Sequence, residues 1–276
     1  MEKIIKFFNR LPVAYLIRYA LMSENVKMNE SDELGCFNKY NSVSSVPQLY
    51  FEVNNKINLN PDDDEYEKAI QIGKYLRANI KGGRGLGLSS KKALEKMITN
   101  EGGVCSDFSQ IFNSFCLINN IKVREWGCID RLYKAQYGHT FNEIYSSKRK
   151  KWIAIDIHKA IVFTDKEDIL LSAFELFSTL RSGNPVEFLH YSDYISRDQA
   201  RTPKVYAPTT IPFIISNEKS AESERYFEKY EETLTPIVIN IMVLLGRKGQ
   251  KFLFVMDNYK NKLLPKFLQK NPAFKK

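Results

Sequence analysis

Cysteine is scarce in this chain, with four among 276 residues at positions 36, 105, 116 and 128 and no C-x-x-C pair. That scarcity excludes a disulfide framework and argues against a structural zinc site, so no metal and no other cofactor is expected. Long apolar runs are missing too. Leu11 to Ile17 is held between Arg10 and Arg18, and Ile237 to Leu245 is interrupted by Asn240 and ends at Gly246; neither is long enough to span a bilayer. No export signal is recognisable, so the cytoplasm is the expected compartment. A tract of one charge sign is also lacking: the net charge of +9 comes from 41 basic and 32 acidic residues spread along the chain. That balance suits a soluble protein and gives no reason to expect nucleic acid as a partner. The glycine-rich stretch KGGRGLGLSS lacks the G-K-[ST] ending of a phosphate loop and reads as a flexible connector. Asp62 to Glu65 lacks the twelve-residue calcium-loop pattern and reads as a helix start.

What remains is a chain with 43% hydrophobic and 13% aromatic residues, enough to build a sizeable core. Its organisation falls into an N-terminal extension over residues 1–60, a core over 61–165 and a C-terminal extension over 166–276 that completes or caps the core. The N-terminal stretch to Met22 reads as a basic amphipathic helix that docks on its own domain, with peripheral membrane contact as the lesser alternative. Residues 23–63 are polar and read as an irregular lead-in. Helical spacing follows in Tyr66, Ala69, Ile72, Leu76 and Ile80, and again from Ser90 to Ile98. The C-terminal third carries helical patterns over Ser172 to Leu180 and Glu218 to Glu232, and Ile237 to Asp257 reads as a hairpin or a longer helix.

Chemistry concentrates between Gly102 and His158. Gly102, Gly103, Val104 and Cys105 are followed by Phe108, Ile111, Phe112, Phe115 and Ile118, the buried face of a helix beginning near Cys105. A thiol at a helix N-terminus meets unpaired amides and the positive end of the dipole, which favour the thiolate a nucleophile needs. A strand over Ile121 to Ile129 precedes two strand-like segments, His139 to Tyr145 and Trp152 to Ile157, flanking a polar tip. If that hairpin is centred between Ser147 and Lys148, opposed residues have numbers summing to 295, and His139 faces Asp156. The carboxylate then accepts from one ring nitrogen and leaves the other for a thiol. His158 is an alternative base, placed on the same strand as Asp156. Cys116, Cys128, Trp126 and Trp152 read as core residues, and His190 as structural or surface.

GGVCSDFSQIF, GHTFNEIY and KWIAIDIH together resemble the three boxes of the transglutaminase-like superfamily, whose papain-like members carry Cys at a helix start and His and Asp on neighbouring strands. The separations of 34 and 17 residues fit its compact microbial members. The resemblance spans about Tyr66 to Lys159 and implies an α+β fold with a catalytic helix packed on an antiparallel sheet. Matched residue by residue, it makes Cys105 the nucleophile, His139 the base and Asp156 the residue that orients the imidazole. Phe141 stands where the family commonly has tryptophan, and Ile157 where proline is frequent. The Cys105 amide is the natural first oxyanion donor; Gln136 and Tyr137 are candidates to complete the hole, and Glu143 to line the cleft, though a solvated strand glutamate is its plainer reading.

The implied activity is attack on an amide or related acyl bond through a thioacyl intermediate. The partner is then a peptide, protein or other amide-containing substrate. Hydrolysis, as by a protease, deamidase or amidase, is preferred to amine transfer. The alternative is a non-catalytic module of the same fold that binds a peptide or glycan-related ligand as an accessory factor.

Overall fold

The computed structural model describes residues 19–28, 33–129, 138–194, 199–216, 221–234, 238–239, 242–243 and 251–264. In chain order the elements are β1 (Ser23–Asn25), α1 (Phe37–Tyr40), α2 (Gln48–Ile57), α3 (Glu65–Asn79), α4 (Ser90–Ile98), α5 (Cys105–Ile118), β2 (Val123–Ile129), β3 (His139–Ser146), β4 (Lys151–Asp156) and β5 (Ile161–Thr164). They continue with α6 (Ala173–Arg181), β6 (Glu187–His190), α7 (Thr202–Val205), β7 (Ile211–Ser216), α8 (Ala221–Tyr230), β8 (Lys251–Phe254) and α9 (Tyr259–Lys262). The strands form one sheet in the order β1-β8-β7-β2-β3-β4-β5-β6. Every pairing is antiparallel except β1 with β8. This is the expected α+β architecture, a helix packed on an antiparallel sheet.

Strand alternation assigns the two faces of that sheet. Val123, Ile144, Ile153, Ile155 and Val162 point to one side and pack with Phe108, Ile111, Phe112 and Phe115 of α5 and with apolar residues of α2, α3 and α4. Trp126, Cys128, Phe141, Ala154, Ile161 and Phe163 point to the other, against Leu176 and Phe177 of α6 and Tyr206. Burying each large α5 side chain is worth about 1.5–3 kcal/mol, which fixes that helix on β2 and β3.

Helix starts follow their capping chemistry. Asp64 accepts from the Glu67 amide while the Glu67 carboxylate accepts from the Asp64 amide, and Ser89 caps α4. The stretch 23–63 departs from the irregular lead-in expected of it: α2 forms within it, and Tyr50 and Val53 are buried in the core. Tyr50, Val53 and Ile57 stand at helical spacing within it, so the period is present in the sequence among the surrounding Asn and Ser.

The β3–β4 hairpin also differs from expectation. Its tip is the four residues Ser147–Lys150, with Lys150 in the left-handed region, and the opposed numbers sum to 297, as in Asn142 with Ile155 and Ser146 with Lys151. A four-residue loop replaces the assumed two-residue turn. Because the slip is two residues, every side chain keeps its face.

The glycine-rich stretch is no flexible connector. The Gly83 amide donates to the Gly103 carbonyl at 2.8 Å and the Gly103 amide to the Arg84 carbonyl at 2.8 Å, so the loop is laced to the chain just ahead of α5. From Ile237 to Asp257, Lys251–Phe254 is strand β8, paired with β7 and β1. Most of the remainder, and the proposed N-terminal helix through residue 18, lie outside the described residues.

Candidate functional site

Cys105 is the first residue of α5 and His139 the first of β3. The packing of helix on strand brings these two beginnings together. Asn142 donates to the Ser109 carbonyl at 3.2 Å and to Asn113 Oδ1 at 2.8 Å, which sets the level of α5 along β3. One turn back along the helix, Cys105 is level with the start of the strand. There its sulfur is near enough to the His139 ring and the Thr140 backbone N–H for both to act on it electrostatically.

The turn that presents the sulfur is tightly specified. Gly103 has φ of 114°, and a Cβ at Gly102 would lie 2.7 Å from Leu86 Cδ2 and 2.8 Å from the Arg84 carbonyl oxygen, so neither position accommodates a side chain. Asp107, buried in the first turn of α5, accepts from the Val104 amide at 2.9 Å and the Leu86 amide at 3.2 Å through the same oxygen. It clamps the glycine loop to the cysteine turn. Its position three residues after Val104, where an acid reaches back to the cap amide, was the signal available for it.

His139 Nε2 lies 2.7 Å from Asp156 Oδ2, and both side chains are buried. In the observed register Phe141 falls opposite Asp156, so His139 and Asp156 are diagonal neighbours on one face, within reach of an imidazole. With Nε2 on the carboxylate, Nδ1 is the ring atom left for the thiol. Asp156 Oδ2 also accepts from Tyr206 Oη at 2.8 Å, and Oδ1 accepts from the Lys159 amide at 3.0 Å. Tyr206 was not legible in the sequence, since it comes from the C-terminal third, 50 residues beyond the aspartate.

The electrostatics follow from this geometry. Burial works against ionisation of Cys105, yet the His139 charge and hydrogen bond, with the Thr140 N–H, bring its thiol below the ordinary value of 9.0. Burial also opposes the imidazolium, but the adjoining Asp156 carboxylate and Cys105 sulfur raise His139 from 6.5 to about 10. Asp156, despite burial, is held below the usual carboxylate range, chiefly by His139. These shifts all run toward the charged forms, a thiolate beside an imidazolium backed by a carboxylate. By contrast Cys116 and Cys128 are buried and their thiols pushed well up, as befits core residues.

The other candidates have different surroundings. Glu143 shares the face of His139, but it is wholly buried rather than solvated: it accepts from Arg124 Nε at 2.5 Å, Trp126 Nε1 at 2.7 Å and the Ala173 amide at 2.6 Å. Gln136 and Tyr137 lie outside the described residues. His158 is not on β4 but in the turn after it, its ring centroid 5.9 Å from that of His139 and 5.5 Å from that of Phe108. Among the described residues no group of three or more His, Cys, Asp or Glu is placed to hold a metal ion, and no helix is long and apolar enough to cross a membrane.

Residues 52–157 match the family model of the transglutaminase-like superfamily, a segment that contains Cys105, His139 and Asp156. No curated protein and no solved structure matches the chain.

Proposed function

We propose that this chain, whose residues 52–157 form a transglutaminase-like core, is a cysteine enzyme that cleaves or transfers an acyl group through a thioacyl intermediate. The observation that carries the reading is the convergence of a helix-start thiol, the His139 ring and the Asp156 carboxylate, with the His–Asp contact at 2.7 Å. In the resting pair the Cys105 thiolate attacks the carbonyl carbon of an amide or related acyl group. The C–S bond forms as the carbonyl oxygen takes up charge, and the Cys105 backbone N–H at the start of α5 is positioned to receive that charge. The His139 imidazolium gives its proton to the leaving amine, and the C–N bond breaks. The neutral imidazole then takes a proton from water or an amine, which attacks the thioacyl carbon and expels the thiolate. Asp156 holds the ring through Nε2 and favours its charged form.

Water is the preferred acceptor in this reading, making the enzyme an amidohydrolase of the protease, deamidase or amidase kind acting on a peptide, protein or other amide. The compartment proposed for it is the cytoplasm, where thiols stay reduced. The test uses p-nitrophenyl acetate as acyl donor, with and without methylamine. Nitrophenol release that turns over, is lost in Cys105→Ala while cooperative unfolding is retained, and yields acetate rather than N-methylacetamide is the expected result. Retained release in Cys105→Ala would overturn the reading and favour a binding module, and dominant amide product would make the enzyme a transferase.

A further inference from the structure

The chain buries two arginines that differ in whether a carboxylate stands against them. Arg124 is 0% exposed and has Glu143 against its Nε, although its Nη1 and Nη2 make no hydrogen bond among the described residues. Arg77, in the last turn of α3, is 3% exposed, and its Nε, Nη1 and Nη2 have no hydrogen-bond partner among the described residues. A guanidinium withdrawn from water without an acceptor is strongly unfavourable, and its five in-plane donors specify what is missing: a planar anion.

Its neighbours place it at the edge of the site. The guanidinium carbon lies 4.3 Å from the ring centre of Phe108, one helical turn beyond Cys105, and 3.6 Å from that of Tyr194. Phe108 in turn touches the ring of His158, which neighbours His139. Asp156 is near enough to act electrostatically on Arg77, but its Oδ2 is occupied by His139 and Tyr206 and its Oδ1 by the Lys159 amide. The site's own carboxylate is therefore committed elsewhere.

The cover over Arg77 is the segment Tyr191–Tyr194. Tyr191 Oη contacts the Asp156 carbonyl at 3.4 Å and packs on Gly73, one turn before Arg77 on α3. Tyr191 and Tyr194 are both partly exposed. With the faces of the guanidinium covered by Phe108 and Tyr194, an anion can engage it only in its plane, by displacing the outer side of this segment.

We propose that Arg77 is a specificity residue that receives a carboxylate of the acyl substrate, the in-plane donors of its guanidinium binding an anionic group carried close to the carbonyl that Cys105 attacks. The substrate class is then an amide bearing a neighbouring carboxylate, such as a peptide with an acidic residue or a free C-terminus beside the reacting bond. This assignment rests on the acyl-transfer reading of Cys105, which its test separates from it.

The probes are N-iodoacetylglycine and N-iodoacetylglycinamide, which differ only in the carboxylate. Each alkylates sulfur by forming an S–C bond as iodide leaves, and mass mapping reports the rate at Cys105. The quantity read is the ratio of the two rates within one protein, relative to the same ratio in the denaturant-unfolded chain, so a general change in thiol reactivity cancels. A charge-assisted bidentate contact predicts a preference of about tenfold or more for the carboxylate reagent. The preference should vanish in Arg77→Gln and survive in part in Arg77→Lys. A wild-type ratio equal to that of the unfolded chain overturns the proposal even if the variants do not fold, and so does a preference that persists in Arg77→Gln. Labelling of Cys105 ahead of the other cysteines without the preference refutes Arg77 alone; no selective labelling of Cys105 by either reagent removes the acyl-transfer reading as well.

Discussion

Replacing His139 by alanine should reverse the sign of the perturbation at Cys105. In the intact site burial raises the thiol pKa, and the neighbouring imidazolium, through its charge and its hydrogen bond, more than compensates. The variant loses both compensating contributions. It retains the burial, the repulsion from Asp156 and one favourable contact, the Thr140 N–H. A hydrogen bond to a charged group is worth about 1.5–3 kcal/mol, so its loss by itself pushes the thiol upward. Loss of the ion pair adds to that, and the thiol should move from below 9.0 to above it. The assay is the second-order rate of iodoacetamide labelling at Cys105 across pH, followed by mass mapping. The inflection of the profile, rather than the rate at one pH, is the informative quantity, because a thiolate of lower pKa is also a weaker nucleophile. Superimposable profiles for the native protein and His139→Ala would refute the reasoning, since the thiol would then owe its ionisation to something other than the imidazole.

Four further outcomes follow from the same contacts. Tyr206→Phe deletes one of the two donors on Asp156 Oδ2 and should lower stability by about 1–3 kcal/mol in urea unfolding. Glu143→Gln leaves Arg124 as a buried charge without its anion, and a loss of about 3–5 kcal/mol is expected in the same measurement. Gly102→Ala must displace Leu86 and the Arg84 carbonyl; a loss of about 1–3 kcal/mol with slower alkylation of Cys105 is the expected pair of effects. The pH dependence of the melting temperature should show two limbs. The raised His139 pKa contributes stability that is complete below 6.5 and is lost as pH rises through about 10, whereas the lowered Asp156 pKa contributes stability present above 3.8 and lost as pH falls below it. Both contributions are full between about pH 4 and 6.5, and His139→Ala should remove the alkaline limb.

Much of this arrangement is legible in the order of residues, and the reason is local. The apolar period from Phe108 to Ile118 marks α5, and the two glycines before Cys105 mark the turn, because each is dictated by neighbours a few residues away. His139 and Asp156 are not directly opposed as the two-residue turn would have them, yet they share a face and touch, because a two-residue slip preserves the face of every side chain. A slip of one would have separated them. What sequence pattern does not carry is long-range: the Tyr206 hydroxyl on Asp156, the lacing of the glycine loop to Gly103, and the burial of Glu143 by Arg124, Trp126 and Ala173. A glutamate on a strand looks solvated until its partners on β2 and α6 are known. Arg77 was hidden for the same reason, its isolation being a property of what α3, α5 and the Tyr191–Tyr194 segment enclose together.

The most direct test of the central claim is the location of the acyl group in acid-quenched protein. After brief exposure to p-nitrophenyl acetate at about pH 7, peptide mass mapping should find one acetyl group per chain on Cys105. It should accumulate when quenched early and disappear as turnover proceeds, and Cys105→Ala should carry none there or elsewhere at the same rate. Acetylation scattered over lysines, or on Cys36 equally with Cys105, would contradict a nucleophilic centre built from Cys105, His139 and Asp156.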